Sequence, residues 1–113
     1  MRRVLAIAGV LEIATGLALF AVPSLVGRLL LGEELTGVAI LLARVAGIAL
    51  VALGVACWPG TPMVGMLTYT VAVALYLAYV GLAGGASGML QWPAVAVHLA
   101  LAVFLVVAWW RSR

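Results

Sequence analysis

The sequence predicts an all-α fold, an integral membrane four-helix bundle. Of its 113 residues 68% are hydrophobic and 8% are charged, and the mean hydropathy is +1.36. A water-soluble domain of this size must cover much of its surface with polar groups, and so few charged residues cannot do so. Four apolar runs each approach the roughly 20 residues that a helix needs to cross the hydrocarbon layer. These runs are continuous rather than alternating, which favours helices over strands.

Proline and glycine mark the ends of the four apolar runs. The first run ends at Pro23 and the second before Pro59, whereas the third starts at Pro62 and the fourth near Pro93. Such residues interrupt or begin helices because proline cannot donate a backbone hydrogen bond. We therefore predict a single transmembrane domain over residues 1–113, with helices at residues 4–22, 36–58, 62–83 and 93–110.

The first run can insert as a retained helix although it contains Glu12. Its start resembles a signal peptide, but residues 21–24 make a poor cleavage site and the run is long enough to span. Its ten Val, Leu, Ile and Phe residues contribute about −3 to −6 kcal/mol on the insertion scale, against about +2.5 to +3.5 kcal/mol for a central acid. The small margin predicts a partner for Glu12.

The segment between the first two spans has an apolar side. This side consists of Leu25, Val26, Leu29 and Leu30, and Arg28 lies outside it. The pattern predicts a short helix lying in the membrane interface over residues 23–32. The alternative is a tight loop or an extension of the second span.

Arginine sets the predicted orientation. The net charge of +3 comes from arginines that lie mainly near the two termini, which favours topology signals and lipid contacts over a nucleic-acid surface. Four spans put both termini on one side, so we predict a multi-pass protein of the cell inner (plasma) membrane with both termini cytoplasmic. Tryptophans near the span ends are expected to anchor both interfaces: Trp58, Trp92, Trp109 and Trp110.

Three ionisable side chains inside apolar runs mark the candidate site, because such groups are costly in a bilayer. The rise per residue of a helix places Glu12 near the middle of the bilayer and both Arg44 and His98 in its outer half. The predicted distance between Glu12 and Arg44 along the membrane normal is about 6 to 7 Å, which an extended arginine can reach. The third helix adds Tyr76 at this depth, whereas Tyr69 is expected in the inner half. The predicted ligand-binding or coupling cluster is Glu12, Thr15, Arg44, Tyr76 and His98.

Glycines lie on the same helix faces as Glu12 and Arg44. Gly9 and Gly16 share a stripe with Glu12, and Gly47 shares one with Arg44, with Gly54 to its side. Glycine lets helix backbones approach closely in lipid, so these sides of the first two spans are expected to pack together. The structural alternative is that the Glu12–Arg44 pair only fixes the register of the bundle. His98, likewise, could serve only to hydrogen-bond a neighbouring helix.

The chain lacks the motifs of catalysis. One histidine, one buried acid and the single cysteine, Cys57, make no convincing metal site within a monomer. Cys57 cannot form an intramolecular disulfide and is expected to be a packing residue. There is neither a glycine-rich phosphate loop nor a Gly-x-Ser-x-Gly elbow. We therefore expect no enzyme activity, no catalytic residue and no cofactor other than a bound lipid or quinone.

Two families resemble the chain. Residues 42–50, Leu-Ala-Arg-Val-Ala-Gly-Ile-Ala-Leu, are similar to the arginine–glycine helix of small DoxX-like four-helix bacterial membrane proteins. The layout of Glu12, Pro23, Arg44 and Trp58 also resembles many uncharacterised bacterial four-helix proteins. The DoxX-like resemblance implies a four-helix fold and, for some relatives, a membrane subunit in quinone-linked sulfur oxidation. Glu12 also resembles the essential first-helix glutamate of small multidrug-resistance transporters. Residues 67–72 depart from that family's third-helix signature.

Three functions follow, in order of preference. The first is a non-catalytic membrane subunit, or a binder of a lipid or quinone-like amphiphile or of a partner helix. The second is a structural or assembly protein with no ligand. The third is a proton-coupled small-molecule transporter that acts as a dimer with Glu12 as the coupling acid. The expected partners are the lipid bilayer and a homo-oligomer or larger membrane complex, and no nucleic acid.

Overall fold

The computed structural model describes residues 2–57, 61–84 and 88–112, which form helices and short connections without any strand. The third predicted helix has the observed bounds, and the others differ by one or two residues at the ends that the structure describes. Trp58 and residues 85–87 lie outside the described residues. The elements are α1 (Arg2–Ala21), α2 (Pro23–Val26), a π-helical segment (Gly27–Leu31), α3 (Val38–Cys57), α4 (Pro62–Ala83) and α5 (Gln91–Arg111).

Four of these helices can cross a membrane. α1, α3, α4 and α5 are each long and apolar enough to do so, and many of their large apolar side chains are exposed, among them Leu42, Leu75 and Phe104. Such exposure would be unfavourable in water but is the normal state of a helix that faces acyl chains. The chain is therefore a multi-pass membrane protein, as the composition predicts.

The chain forms two compact units, residues 1–65 and residues 66–113. The first unit contains α1, α2, the π-helical segment, α3 and the first turn of α4. The second contains the rest of α4 and all of α5. The candidate site residues divide between them, three in the first unit and two in the second.

In the first unit α1 and α3 run antiparallel and touch at glycines. A Cβ added at Gly16 would lie 2.5 Å from the carbonyl oxygen of Gly47, and one added at Gly47 would lie 2.5 Å from that of Gly16. Towards the other end, a Cβ at Gly54 would lie 2.5 Å from the carbonyl oxygen of Gly9. Only glycine permits this approach, so the predicted packing of these two helix faces is confirmed.

The connector between α1 and α3 is helical at its start, and this helical part packs against Leu35 near the end of the connector. Pro23 breaks α1 because its nitrogen has no hydrogen to donate. Ser24 Oγ donates to the carbonyl oxygen of Leu35 at 2.8 Å. A Cβ at the buried Gly27 would lie 2.6 Å from the Leu35 side chain. The helix expected between the first two spans is thus present, as α2 and the π-helical segment.

In the second unit α4 and α5 are joined by side chains. Gln91 Nε2 donates to the carbonyl oxygen of Leu77 at 2.7 Å, and the Trp92 ring lies against Gly81. The most buried residues of α4 are Thr70, Val73 and Ala74, each at most 2% exposed. The hydroxyl of Thr70 donates to the carbonyl oxygen of Leu67 at 3.2 Å, so this buried polar group is satisfied within its own helix.

Candidate polar sites in the membrane-spanning helices

The glycine contacts fix the level of each polar residue in the first unit. Glu12 lies between Gly9 and Gly16, so it is level with the middle of the Gly47–Gly54 stretch of α3, around Val51. Arg44 precedes that stretch and lies beside the end of α1. Seven residues separate Arg44 from Val51, which is about 10 Å of helix rise.

Arg44 binds the end of α1. Its Nε donates to the carbonyl oxygen of Phe20 at 3.1 Å, and its Cζ lies 5.9 Å from the centre of the Phe20 ring. Phe20 is the last residue but one of α1, in the final turn, where groups outside the helix commonly bind the backbone carbonyls. A cation there also interacts favourably with the negative end of the helix dipole. Arg44 is therefore a cap for α1, supplied by α3.

The prediction of a direct Glu12–Arg44 pair is wrong. Among the described residues the ion pair within 4.0 Å is Arg28–Glu34, at 3.7 Å on the exposed connector. The predicted distance of about 6 to 7 Å between Glu12 and Arg44 along the helices was counted from the ends of the apolar runs. The glycine contacts set a larger distance, about 10 Å. The Arg44 side chain also extends towards Phe20, away from the level of Glu12, which is half-buried on α1.

Thr15 is satisfied within α1. Its hydroxyl donates to the carbonyl oxygen of Leu11 at 2.8 Å, and the residue is exposed. This bond to the preceding turn is a common way for threonine to satisfy its hydroxyl inside an apolar helix. It commits the hydroxyl hydrogen to the backbone, so Thr15 offers only its oxygen lone pairs to another group.

His98 forms the polar site of the second unit. Its Nδ1 lies 2.7 Å from the carbonyl oxygen of Ala94. Because a carbonyl only accepts, Nδ1 carries the hydrogen of this bond. The imidazole lies 5.8 Å from the Tyr69 ring, centre to centre, at 58° between planes. His98 is half-buried, so this pair is open to a further contact.

The tyrosine beside His98 is the one expected in the other half of the membrane. Gln91 holds the start of α5 at Leu77, six residues before α4 ends at Ala83. α5 is thereby displaced along α4, and His98 comes level with Tyr69 rather than being placed by the distance from Pro93. Tyr69 and His98 therefore lie at one level, although the sequence placed them in opposite halves of the membrane. Tyr76 is buried, at 9% exposure.

Each unit thus carries a polar pair of its own, Arg44 with Phe20 in the first and His98 with Tyr69 in the second. No group of three His, Cys, Asp or Glu side chains within the described ranges could hold a metal ion. Two features of the sequence could have indicated these arrangements: Pro23, which ends α1 shortly after Phe20, and Gln91, the only side-chain amide of the sequence. No protein-family model, curated protein or solved structure matches the chain.

Proposed function

We propose that this multi-pass protein is a non-catalytic membrane component that binds an amphiphile or a partner helix at Arg44. The observation that supports the proposal is that the Arg44 guanidinium uses only one of its N–H groups in a hydrogen bond to the described residues. Its Nε is bound to Phe20, whereas its two Nη groups have no hydrogen-bond partner in the part of the chain that the structure describes. A guanidinium presents five N–H donors, so four of them are available to another molecule.

Energetics favour a ligand. An arginine at the centre of a span costs about +2.5 to +3.5 kcal/mol on the insertion scale, and Arg44, which lies nearer the end of α3, costs less than this. One hydrogen bond from a charged donor contributes about 1.5 to 3 kcal/mol. The bond to Phe20 offsets much of the cost, but the remaining N–H groups still need acceptors in a layer without water. Lipid headgroup oxygens, a quinone carbonyl or the backbone of a partner helix would supply them.

The DoxX-like resemblance belongs to the same proposal. Its arginine–glycine stretch, residues 42–50, lies in α3 and contains both Arg44 and the Gly47 contact. A membrane subunit with both termini in the cytoplasm of a bacterial inner membrane agrees with the arginines near the two ends of the chain. Association with further subunits, or with a second copy, is part of this proposal.

The test is to purify the protein in a mild detergent and identify what remains bound. Mass spectrometry of lipids, quinones and proteins should find an amphiphile or a partner with the wild type and much less with Arg44→Gln. Arg28→Gln is the matched control, because it removes an exposed arginine of the same unit. A wild-type protein that purifies with neither amphiphile nor partner would rule the proposal out.

A structural role is the second candidate, and one observation favours it. Arg44, Thr15, Thr70 and His98 each hydrogen-bond a backbone carbonyl of a spanning helix. Polar side chains used in this way stabilise helices and need no ligand. This candidate predicts that Arg44→Gln lowers the yield of folded protein, while the wild type carries no bound molecule.

A further inference from the structure

We infer that the ligand of Arg44 is a phospholipid, whose phosphate accepts hydrogen bonds from Nη1 and Nη2 beside the end of α1. This inference rests on the function proposed above and names the class of amphiphile. It depends on three features of the first unit: the level of the guanidinium, its free edge and the charges around it.

The guanidinium lies near the end of both helices that hold it. Phe20 is followed in α1 only by Ala21, and Arg44 is the seventh residue of α3, about 9 Å of rise from its start at Val38. Its Nε reaches Phe20, so the side chain extends towards these ends. Long basic side chains extend in this way towards the membrane surface, where lipid phosphates lie. A quinone ring in the middle of the bilayer would be farther away.

The free edge of the guanidinium suits a phosphate. Phe20 engages Nε through its carbonyl and lies beside the guanidinium with its ring, which leaves the edge that carries Nη1 and Nη2. Paired N–H groups on one edge bind phosphate oxygens in a bidentate manner, and the phosphate also neutralises the arginine charge. A neutral quinone carbonyl would accept a hydrogen bond but leave the charge uncompensated.

The charged groups near Arg44 have no net positive charge, so that Arg44 itself is the main group that attracts a phosphate. The connector carries Arg28, which pairs with Glu34, and the exposed Glu33. Together with Arg44 these four groups sum to zero formal charge. The negative end of the α1 dipole also disfavours an anion there. Binding should therefore depend on Arg44 almost entirely and should require a phosphate rather than a net negative lipid.

The experiment is a lipid titration followed by native mass spectrometry. Delipidated protein in a neutral detergent is titrated with phosphatidylcholine, phosphatidylglycerol and diacylglycerol of the same acyl chains, and inorganic phosphate is added as a competitor. Both phospholipids should bind with similar affinity, and diacylglycerol at least about tenfold more weakly. Arg44→Gln should weaken phospholipid binding by about tenfold or more. Arg28→Gln should leave it nearly unchanged.

The outcomes separate this inference from the function on which it rests. Diacylglycerol or a quinone that binds as well as phospholipid, in an Arg44-dependent way, would overturn the phosphate assignment but leave amphiphile binding intact. Displacement by inorganic phosphate at low concentration would favour a soluble phosphate ligand over a lipid and would also overturn it. Binding of no lipid, quinone or partner would remove the function itself.

A second measurement covers the case in which Arg44→Gln does not fold. A phospholipid with a photoreactive headgroup is cross-linked to the wild type in vesicles, and the labelled peptides are mapped. Labelling should concentrate near the end of α1 and the start of α3. Labelling confined to α4 and α5 would contradict the inference.

Discussion

The two units of this protein join their helices in different ways. In the first, α1 and α3 touch backbone to backbone, and carbonyl oxygens occupy the space where a Cβ would be. In the second, α4 and α5 meet through long side chains, with the Gln91 amide on Leu77 and the Trp92 ring against Gly81. Backbone contacts cannot give way without moving a helix, whereas side-chain contacts can adjust.

The difference matters because of the solvent. Lipid provides no hydrophobic force between apolar helices, so close packing and hydrogen bonds must hold them together. The glycine contact supplies packing and fixes the register that brings Arg44 to Phe20. The α4–α5 contact supplies the hydrogen bond from Gln91 to Leu77 and fixes the register that brings His98 to Tyr69. Substitutions in the two units should therefore differ in size, and this difference can be measured.

The largest effect is expected for Gly47→Leu. The new side chain meets the backbone of Gly16 and Phe20, so α1 and α3 must separate. We expect the free energy of unfolding, measured by SDS titration in mixed micelles, to fall by about 3 kcal/mol. Ala46→Leu, on the exposed side of the same helix, is the control and should have little effect. Equal effects of the two would contradict the glycine contact.

Arg44→Gln should cause the second largest loss in the free energy of unfolding. It removes the bond to the Phe20 carbonyl, and a hydrogen bond from a charged donor contributes about 1.5 to 3 kcal/mol. The same SDS titration should show a loss of this order. Arg28→Gln breaks an exposed ion pair, and such pairs contribute only about 0 to 1 kcal/mol. If Arg28→Gln destabilised the protein as much, the cap would not explain the role of Arg44.

Gln91→Leu should have a smaller effect, about 0.5 to 1.5 kcal/mol, because it removes one neutral hydrogen bond to Leu77. Gln91→Glu should be no better, since a carboxylate cannot donate to a carbonyl when ionised. Met89→Leu, in the exposed turn before α5, is the control. A stability unchanged in both Gln91 variants would show that the amide does not hold α5.

The smallest effect is expected for Gly81→Ala, which compares the two units most closely. The added Cβ would lie 2.9 Å from the Trp92 ring, a side chain that can move, and alanine favours a helix by about 1 kcal/mol over glycine. We expect a net change below about 0.5 kcal/mol. Gly16→Ala, which meets a backbone oxygen instead, should cost about 1 to 2 kcal/mol. The reverse order would contradict the comparison.

Hydropathy and glycine placement predicted much of this structure. The four spans follow from continuous apolar runs, and the packed side of α1 follows from Gly9 and Gly16. The partners of the polar residues could not be predicted in the same way, because they depend on axial shifts between helices. Arg44 illustrates the reason: its partner is a backbone carbonyl at a helix end, which no charge pattern reveals. His98 likewise lies level with Tyr69, which was expected in the other half of the membrane, because Gln91 sets where α5 begins along α4.

The most direct test of the account is a double-mutant cycle on Glu12 and Arg44. The free energy of unfolding is measured for the wild type, Glu12→Gln, Arg44→Gln and the double variant. Because Arg44 caps Phe20 and lies about 10 Å along the helix from the level of Glu12, the two effects should add within about 0.5 kcal/mol. A coupling above about 1 kcal/mol, with the double variant recovering stability lost in either single one, would show a direct pair and contradict the account.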